Sequence, residues 1–532
     1  MLAPCYANKV PGKFPSSNSL QRVMEPTECF TVLSRIVVAF GNDGEDKILE
    51  EYRHNLDLLS ACLSLSNSNA GFRREISQSQ STWVMLNQIF SFYLKNSEAR
   101  VPQDDIWQYK IRTVRGISLL ARSMITACTA DDAYVQPYVE SAHRSISSIT
   151  RVSLAKLDDA SLSNNTRGLY MRLISSSLQF LTNLMNTKLG NEYHGTIDYK
   201  LAQELLRRIF FVKESNNATL DLQVVENALY LINSLVDNEE FSFTLMDDQE
   251  TFVLFLSAML TSFQELSPNA ALEIEANKDQ DLNPIELLII SICSKIITKP
   301  KFVTWIDTMD PFDGDMPNYL KLFQTLIVNR ESWSSEQLIV LITWLTKLFD
   351  RLNVDNNSVL TTSLNKLLVS TLDSIASICQ YEEIRQYISE YHYFVKFLDL
   401  LKMLSIKVPR KALKDSASTI QFPNAKSIII EILTFLVHRD FKVQEAMRNL
   451  QGIEVILNNC NIDENEPFIK ERSILCIKYL LENNQANQDF VAKLEAKKVT
   501  DDNVLSEAGY EVNIVDGKVK LKPPQPRPNP NE

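Results

Sequence analysis

The residues with which this 532-residue chain could ligate a metal or attack a substrate are few: His54, His143, His194, His392 and His438, with Cys5, Cys29, Cys62, Cys128, Cys293, Cys379, Cys460 and Cys476. The common zinc sites need His and Cys at short spacings on at least one side. No two of these histidines lie within ten residues, no Cys-x-x-Cys pair occurs, and the stretch Asn191-Glu-Tyr-His194 offers one His and no Cys. No metal or cofactor site is expected. Cuprous copper would favour Cys and Met, but the 12 Met do not cluster and the Cys do not pair. They read as free thiols packed among apolar neighbours in a reducing compartment. A catalytic triad assembles only in the fold, yet no nucleophile occupies a Gly-flanked elbow. Only 12 residues are Gly, with none between Gly195 and Gly314 or between Gly314 and Gly452. Phosphate-cradling loops and the dinucleotide fingerprint therefore have no place in most of the chain, and no enzymatic activity is expected.

The elements available to position any site are helices. Apolar residues recur at helical spacing from about Cys29 to Leu494, with little strand-like alternation. A triplet at i, i+3 and i+4 returns at Leu59, Cys62, Leu63; Ala121, Met124, Ile125; Leu181, Leu184, Met185; Ile232, Leu235, Val236; and Ile289, Ile292, Cys293. It returns again at Leu345, Leu348, Phe349; Ile375, Ile378, Cys379; Leu433, Leu436, Val437; and Ile477, Leu480, Leu481. Polar turns such as Asp237-Asn-Glu-Glu240 and His438-Arg-Asp440 follow some of them. The intervals run from 30 to 62 residues, mostly beyond the roughly 40–47 of a HEAT or armadillo unit. The expected fold is an all-α, armadillo/HEAT-like helical-repeat solenoid with a short C-terminal hairpin and a Pro-rich tail. The expected parts are an N-terminal extension at 1–28, an irregular repeat array at 29–406, a linker at 407–424, a C-terminal armadillo domain at 425–497 and a tail at 498–532. In the tail, Glu511 to Leu521 alternates around Asp516-Gly517 as a hairpin would.

A solenoid's usual chemistry is recognition of an extended partner. The residue two places after each triplet's first anchor lies about 200° around the helix and is expected to face a groove. That column reads Ala61, Ser123, Asn183, Ser234, Ser291, Lys347, Ser377, Phe435 and Tyr479, of which Asn183, Ser234, Lys347, Phe435 and Tyr479 are the candidate contacts. Trp83, Trp107, Trp305, Trp333 and Trp344 read as core or inter-repeat fillers. The formal charge of −12, from 54 Lys and Arg against 66 Asp and Glu, weighs against nucleic acid or an anionic membrane as main partner. A local basic patch remains compatible with it. The longest apolar run, Leu338 to Trp344, falls far short of the roughly 18 residues of a membrane span, so no membrane insertion is expected. The N-terminus lacks a secretory h-region. A cytoplasmic protein with protein partners is expected, and self-association stays open.

One block carries a family signature. Gly452 and Ile453 lead into Cys460, Ile462, Asp463, Pro467, Phe468, Ile469 and Glu471, then Leu480, Leu481, Glu482, Asn483, Asn487 and Gln488. This ordered set resembles the C-terminal domain of the ataxin-10 family, in a divergent, fungal-like form. Three departures stand out: Glu466 replaces the usual Asn before Pro, Arg472 stands where a Trp is usual, and Lys478-Tyr479 replaces Arg-Asn. On physical grounds Asp463 is expected to cap a helix opening near Pro467. Phe468 and Ile469 are expected to enter the core, and Asn487 with Gln488 to bond turn backbone. The resemblance implies an armadillo-like, cytoplasmic, non-enzymatic protein linked to cytokinesis and cell survival through protein partners. Some fungal relatives also bear a copper-transport name, which makes copper homeostasis one alternative; a groove for peptide cargo is another.

Overall fold

The computed structural model describes residues 25–41, 47–97, 105–187, 189, 196–210, 220–266, 284–352, 354–355, 358–411, 422–495, 511–515 and 518–522. Contacts divide the chain into two units, Met1–Ser234 and Leu235–Glu532. Each is a helical-repeat stack of two layers.

The first unit contains α1 (Pro26–Gly41), α2 (Lys47–Ser68), α3 (Ala70–Gln78), α4 (Gln80–Ser97), α5 (Asp105–Ile125), α6 (Gln136–Leu157), α7 (Asn164–Met185), α8 (Thr196–Phe210) and α9 (Leu222–Leu235). One layer runs α1, α4, α6, α8 and the other α2, α5, α7. Polar caps start the helices: Asn69 accepts from the Phe72 amide at 3.0 Å and Ser163 from the Thr166 amide at 3.2 Å, each satisfying an orphan first-turn donor. Trp107 ties the layers, stacking on Tyr93 with ring centroids 4.9 Å apart and donating from Nε1 to the Tyr170 hydroxyl at 3.0 Å. Neighbouring helices of the second layer hold one register. Ser123 Oγ donates to Ser66 O, Asn165 Nδ2 to Gln108 Oε1 and Arg122 Nη1 to Gln179 Oε1, every pair 57 residues apart. Gly116 belongs to the same register. A Cβ there would come within 2.6 Å of Leu59 Cδ2, so α2 and α5 approach closely only because that side chain is missing.

The second unit contains α10 (Glu239–Asp247), α11 (Gln249–Leu266), α12 (Pro284–Ile296), α13 (Pro300–Thr308), α14 (Met316–Val328), α15 (Ser335–Leu352), α16 (Thr362–Ile378), α17 (Glu382–Glu390), α18 (Tyr393–Lys407), α19 (Ala425–Val437), α20 (Phe441–Asn449), α21 (Gly452–Asn458), α22 (Ile469–Leu481) and α23 (Gln485–Glu495). Here α12, α14, α16, α19 and α22 pack side by side in one layer, while α13, α15 and α17 follow one another in the other. A cluster of Phe252, Phe302, Trp305, Phe323 and Trp344, with centroids 4.8–6.2 Å apart, fills the space between layers. Its edge-to-face pairs are the favoured aromatic geometry. All five Trp are buried. Toward the C-terminus the repeats shorten to three helices, and contacts such as Asn484 Nδ2 to Gln444 Oε1 and Arg448 Nη1 to Asn487 Oδ1 link residues 40 and 39 apart. Strands β1 (Glu511–Val515) and β2 (Lys518–Lys522) pair antiparallel, Glu511 with Lys522 through Val515 with Lys518. Of the N-terminal extension expected at 1–28, residues 1–24 lie outside the described residues and 26–28 belong to α1; the expected turn at Asp516-Gly517 and the Pro-rich end beyond residue 522 also lie outside the described residues.

All nine apolar triplets are buried except for half-buried Leu63. Two details differ from the sequence reading. The Leu345 triplet sits on α15, in the other layer; the corresponding rung is α14, with Phe323, Leu326 and Ile327. Among the described residues of the Gly-free stretch from 315 to 451 the backbone also turns left-handed, at His392, Phe422, Asn424, Arg439 and Gln451. Within the expected linker at 407–424, Lys411 is tied to the last repeat through its amide to Asp463 Oδ1 and its carbonyl to the Glu464 amide, both 3.1 Å. Residues 412–421 lie outside the described residues.

Two glycines of the first unit should respond oppositely to alanine. Gly116→Ala forces Leu59 aside in a full core and should cost about 1–3 kcal/mol. Gly168→Ala, where an added Cβ meets nothing within 4 Å on α7, should stabilise by about 0.5–1 kcal/mol. Urea unfolding followed by circular dichroism reads both; equal midpoints for the two variants would contradict the packing.

Candidate protein-interaction site

The partly exposed stripe of α5 consists of Gln108, Arg112, Arg115, Leu119 and Arg122, three or four residues apart as one helical face requires. Beside it α7 presents Asn165, Arg172, Gln179 and Asn183. After Asp105 neither helix contains an Asp or Glu. Burial and the neighbouring Arg172 charge hold the Arg115 guanidinium below its usual value, and burial does the same to Arg122. The Nε of Arg115 is buried without a hydrogen-bond partner.

The expected groove column does not form one face. Ser123 is buried under its bond to Ser66 O. Ser234 is half-buried and donates to Tyr230 O at 3.1 Å. Lys347 is exposed but lies on α15 in the other layer, 3.3 Å from Asp307 Oδ2. Phe435 and Tyr479 are half-buried on adjacent helices, with Tyr479 against the His438 ring at 4.4 Å. Asn183 alone joins the arginine stripe. The column mixed layers because triplet spacing marks a buried flank and not the layer to which it belongs.

In the last repeats a buried polar knot replaces the expected helix cap. Lys426, 3% exposed in the first turn of α19, donates from Nζ to Asp463 Oδ2 at 3.0 Å and to Val408 O at 3.2 Å. Asp463 Oδ1 accepts from the amides of Lys411 and Asn465 at 3.1 and 3.0 Å. Glu466 accepts from the amides of Lys426 and Ser427, both at 3.0 Å. It thereby supplies the N-terminal hydrogen-bond acceptor of α19 from outside that helix. Arg472 donates to Ser427 Oγ at 3.2 Å and lies 2.7 Å from Glu431. Glu466 and Arg472, two of the three departures from the family pattern, thus bind α19.

Asp463 therefore does not cap the helix near Pro467. Helix α22 starts at Ile469, behind Phe468 in left-handed backbone with no side-chain cap. Ile469 enters the core, but Phe468 is 70% and Ile462 56% exposed, because the left-handed turn points Phe468 outward. Pro467, Glu471, Glu482 and Asn483 are exposed as well. Gly452 sits where a Cβ would meet Met447 Sδ at 2.7 Å; Ile453, Cys460, Leu480 and Leu481 are buried. Asn487 Nδ2 donates to Leu480 O and Gln488 Nε2 to Leu481 O, both at 2.8 Å, as turn-bonding residues should. Over the knot lies a cleft of about 430 Å³ between α18 and α21, lined by Lys402, Ile406, Arg410, Val455, Asn458 and Asn461 among others.

The profile of the spinocerebellar ataxia type 10 protein domain matches residues 425–522, starting on the helix that holds Lys426. The chain is similar to ataxin-10 proteins over most of its length, and its C-terminal part matches the family's domain. It is 29% identical to the ataxin-10 homolog of Debaryomyces hansenii, covering 90% of this chain and 93% of that one. Against the Candida glabrata homolog it is 28% identical over 90% and 97%. Human ataxin-10 is similar over a shorter span, 35% identical across 20% of this chain and 22% of its own. Among solved structures, SYS-1 matches at 8% identity and a TM-score of 0.30 over 92% of each chain; the fold assignment rests on the helix packing above. Most buried members of the ataxin-10 signature serve the last two repeats, while Ile462, Pro467 and Phe468 leave it facing solvent.

Among the described residues no group of three or more His, Cys, Asp or Glu side chains is placed to hold a metal. The described cysteines are free and mostly buried, and Cys293 Sγ lies 2.9 Å from Met259 Sδ. No helix among the described residues is long and apolar enough to cross a membrane.

The knot makes two predictions. Lys426→Met strands a buried carboxylate and should cost about 3–5 kcal/mol. Adding Asp463→Asn, which keeps an acceptor for the two amides, should recover more than half; a double variant as unstable as the single one would show the pair is not coupled. Burial pushes the Glu466 carboxyl up to about 7, so the folded state holds its proton more tightly than the unfolded chain. That contribution is complete below about pH 4.3 and lost as pH rises through about 7. Relative to Glu466→Gln, wild type should lose on the order of 3 kcal/mol between those limits; parallel stability–pH curves for the two proteins would refute this.

Proposed function

We propose that the protein is a non-enzymatic cytoplasmic adaptor that acts in cell division by holding protein partners on the helix faces of its repeats. The observation that carries the adaptor reading is the stripe of Arg115, Arg122 and Arg172. These charged side chains lie on adjacent packed helices that carry no carboxylate after Asp105, a surface suited to contacts with another chain. Similarity to ataxin-10 proteins supports the same class of function, and the division role is what the ataxin-10 resemblance implies. The exposed Ile462 and Phe468 beside buried neighbours offer a second contact area, since large exposed apolar groups commonly mark binding surfaces.

Affinity capture of the tagged full-length chain from dividing cells should enrich cytokinesis factors, and depletion should delay separation of daughter cells. Normal division after depletion, with no such factor recovered, would overturn the division role.

A further inference from the structure

We propose that Arg115, Arg122 and Arg172 form a docking site for an extended acidic peptide segment of a partner protein. This deepens the adaptor reading and rests on it.

Several arginines elsewhere in the first unit find partners within the fold. Arg74 pairs with Asp132, Arg208 with Asp158 at 2.7 Å, Arg144 with Glu140, and Arg167 donates to Leu157 O at 2.8 Å. The stripe is different. Arg122 has only the neutral Gln179 amide oxygen, at 2.6 Å. The charged group acting on Arg115 is another guanidinium, and a buried donor of Arg115 has no acceptor. A desolvated cation beside a like charge is unfavourable until an anion arrives, so the fold carries a cost that a bound carboxylate relieves. The unit is otherwise balanced, with 24 Lys and Arg against 23 Asp and Glu in residues 1–234, which makes the local excess a property of this face.

The spacing favours a peptide. Arg115 and Arg122 are seven residues apart, about 10 Å along a helix, close to the roughly 9 Å of one three-residue turn of an extended polyproline II segment, which returns the side chain to the same face. Carboxylates at every third position would therefore meet both, with Arg172 reaching across from α7. Gln108 and Asn165, joined at 3.3 Å, and Gln179 with Asn183 flank the arginines with amides that can bond peptide backbone. A nucleic acid is the poorer fit, because its charge is continuous and the chain as a whole stands at −12.

The test uses the full chain and a fluorescent ten-residue peptide with Glu at every third position, separated by Ser-Ala, against the same peptide with Gln and a ten-nucleotide oligothymidylate. The Glu peptide should bind best. Raising salt from about 0.05 M to about 0.3 M should weaken it severalfold, and the triple variant Arg115→Gln, Arg122→Gln, Arg172→Gln should weaken it about tenfold or more. Arg172→Gln alone should weaken binding while leaving Tm equal to or above wild type, because it removes like-charge repulsion. Equal binding of Glu and Gln peptides, unchanged binding by the triple variant, or tighter oligothymidylate binding lost with the same substitutions would overturn the proposal. So would a Tm drop of several degrees in Arg172→Gln, which would make the stripe part of the fold. If the peptide fails to bind while wild type and triple variant recover the same partners from cells, the stripe is wrong and the adaptor reading stands. If the peptide binds as expected and no partner is recovered, the stripe stands and the adaptor reading falls.

Discussion

Side-by-side burial of helices is the constraint from which the rest of this structure follows. Helix α7 buries Leu173, Ile174, Leu178, Leu181 and Leu184, more apolar surface than one neighbour can cover, so it needs both α5 and α6. The same demand repeats along each unit, and close packing permits little sliding. Register is therefore held at 57 residues in the second layer of the first unit and at about 40 in the last repeats. Once register is fixed, the polar flank of each helix lines up with the next. The stripe of arginines exists because Arg115 and Arg172 occupy equivalent positions on neighbouring helices.

Much of this architecture was legible in the sequence, for a definite reason. An i, i+3, i+4 triplet records a buried flank directly, and scarcity of Gly removes most alternatives to helix. Height along the helix was not legible, because sliding by about one turn leaves the triplet pattern intact. Leu59 lies beside Gly116, not Ala121. Layer was equally hidden, which placed Lys347 in the wrong column and passed over α14. At the family block, spacing suggested a local cap for Asp463, whereas its partner Lys426 lies 37 residues upstream and only tertiary structure connects them. The arginine stripe did leave a signal: two long helices with basic residues and, past Asp105, no acidic ones.

The turns show how a chain poor in Gly makes corners. His392 and Gln451 precede α18 and α21, Asn424 and Phe468 precede α19 and α22, and Arg439 and Asn483 stand just before α20 and α23. All six have positive φ. For an L residue this backbone costs roughly 1–2 kcal/mol, tolerated where flanking helices over-determine the corner. Equivalent turns in successive repeats thus share one handedness despite unrelated side chains. At Phe468 that geometry also carries an aromatic ring into solvent.

The buried ion pair sets an order on synthesis. Lys426 leaves the ribosome 37 residues ahead of the carboxylate that neutralises it, at about 5–20 residues per second. During those few seconds α19 has its amphipathic pattern but no partner for an ammonium bound for the interior. Until Asp463 is made, burying Lys426 would leave an ammonium unpaired, so the full packing of α19 depends on the last repeat.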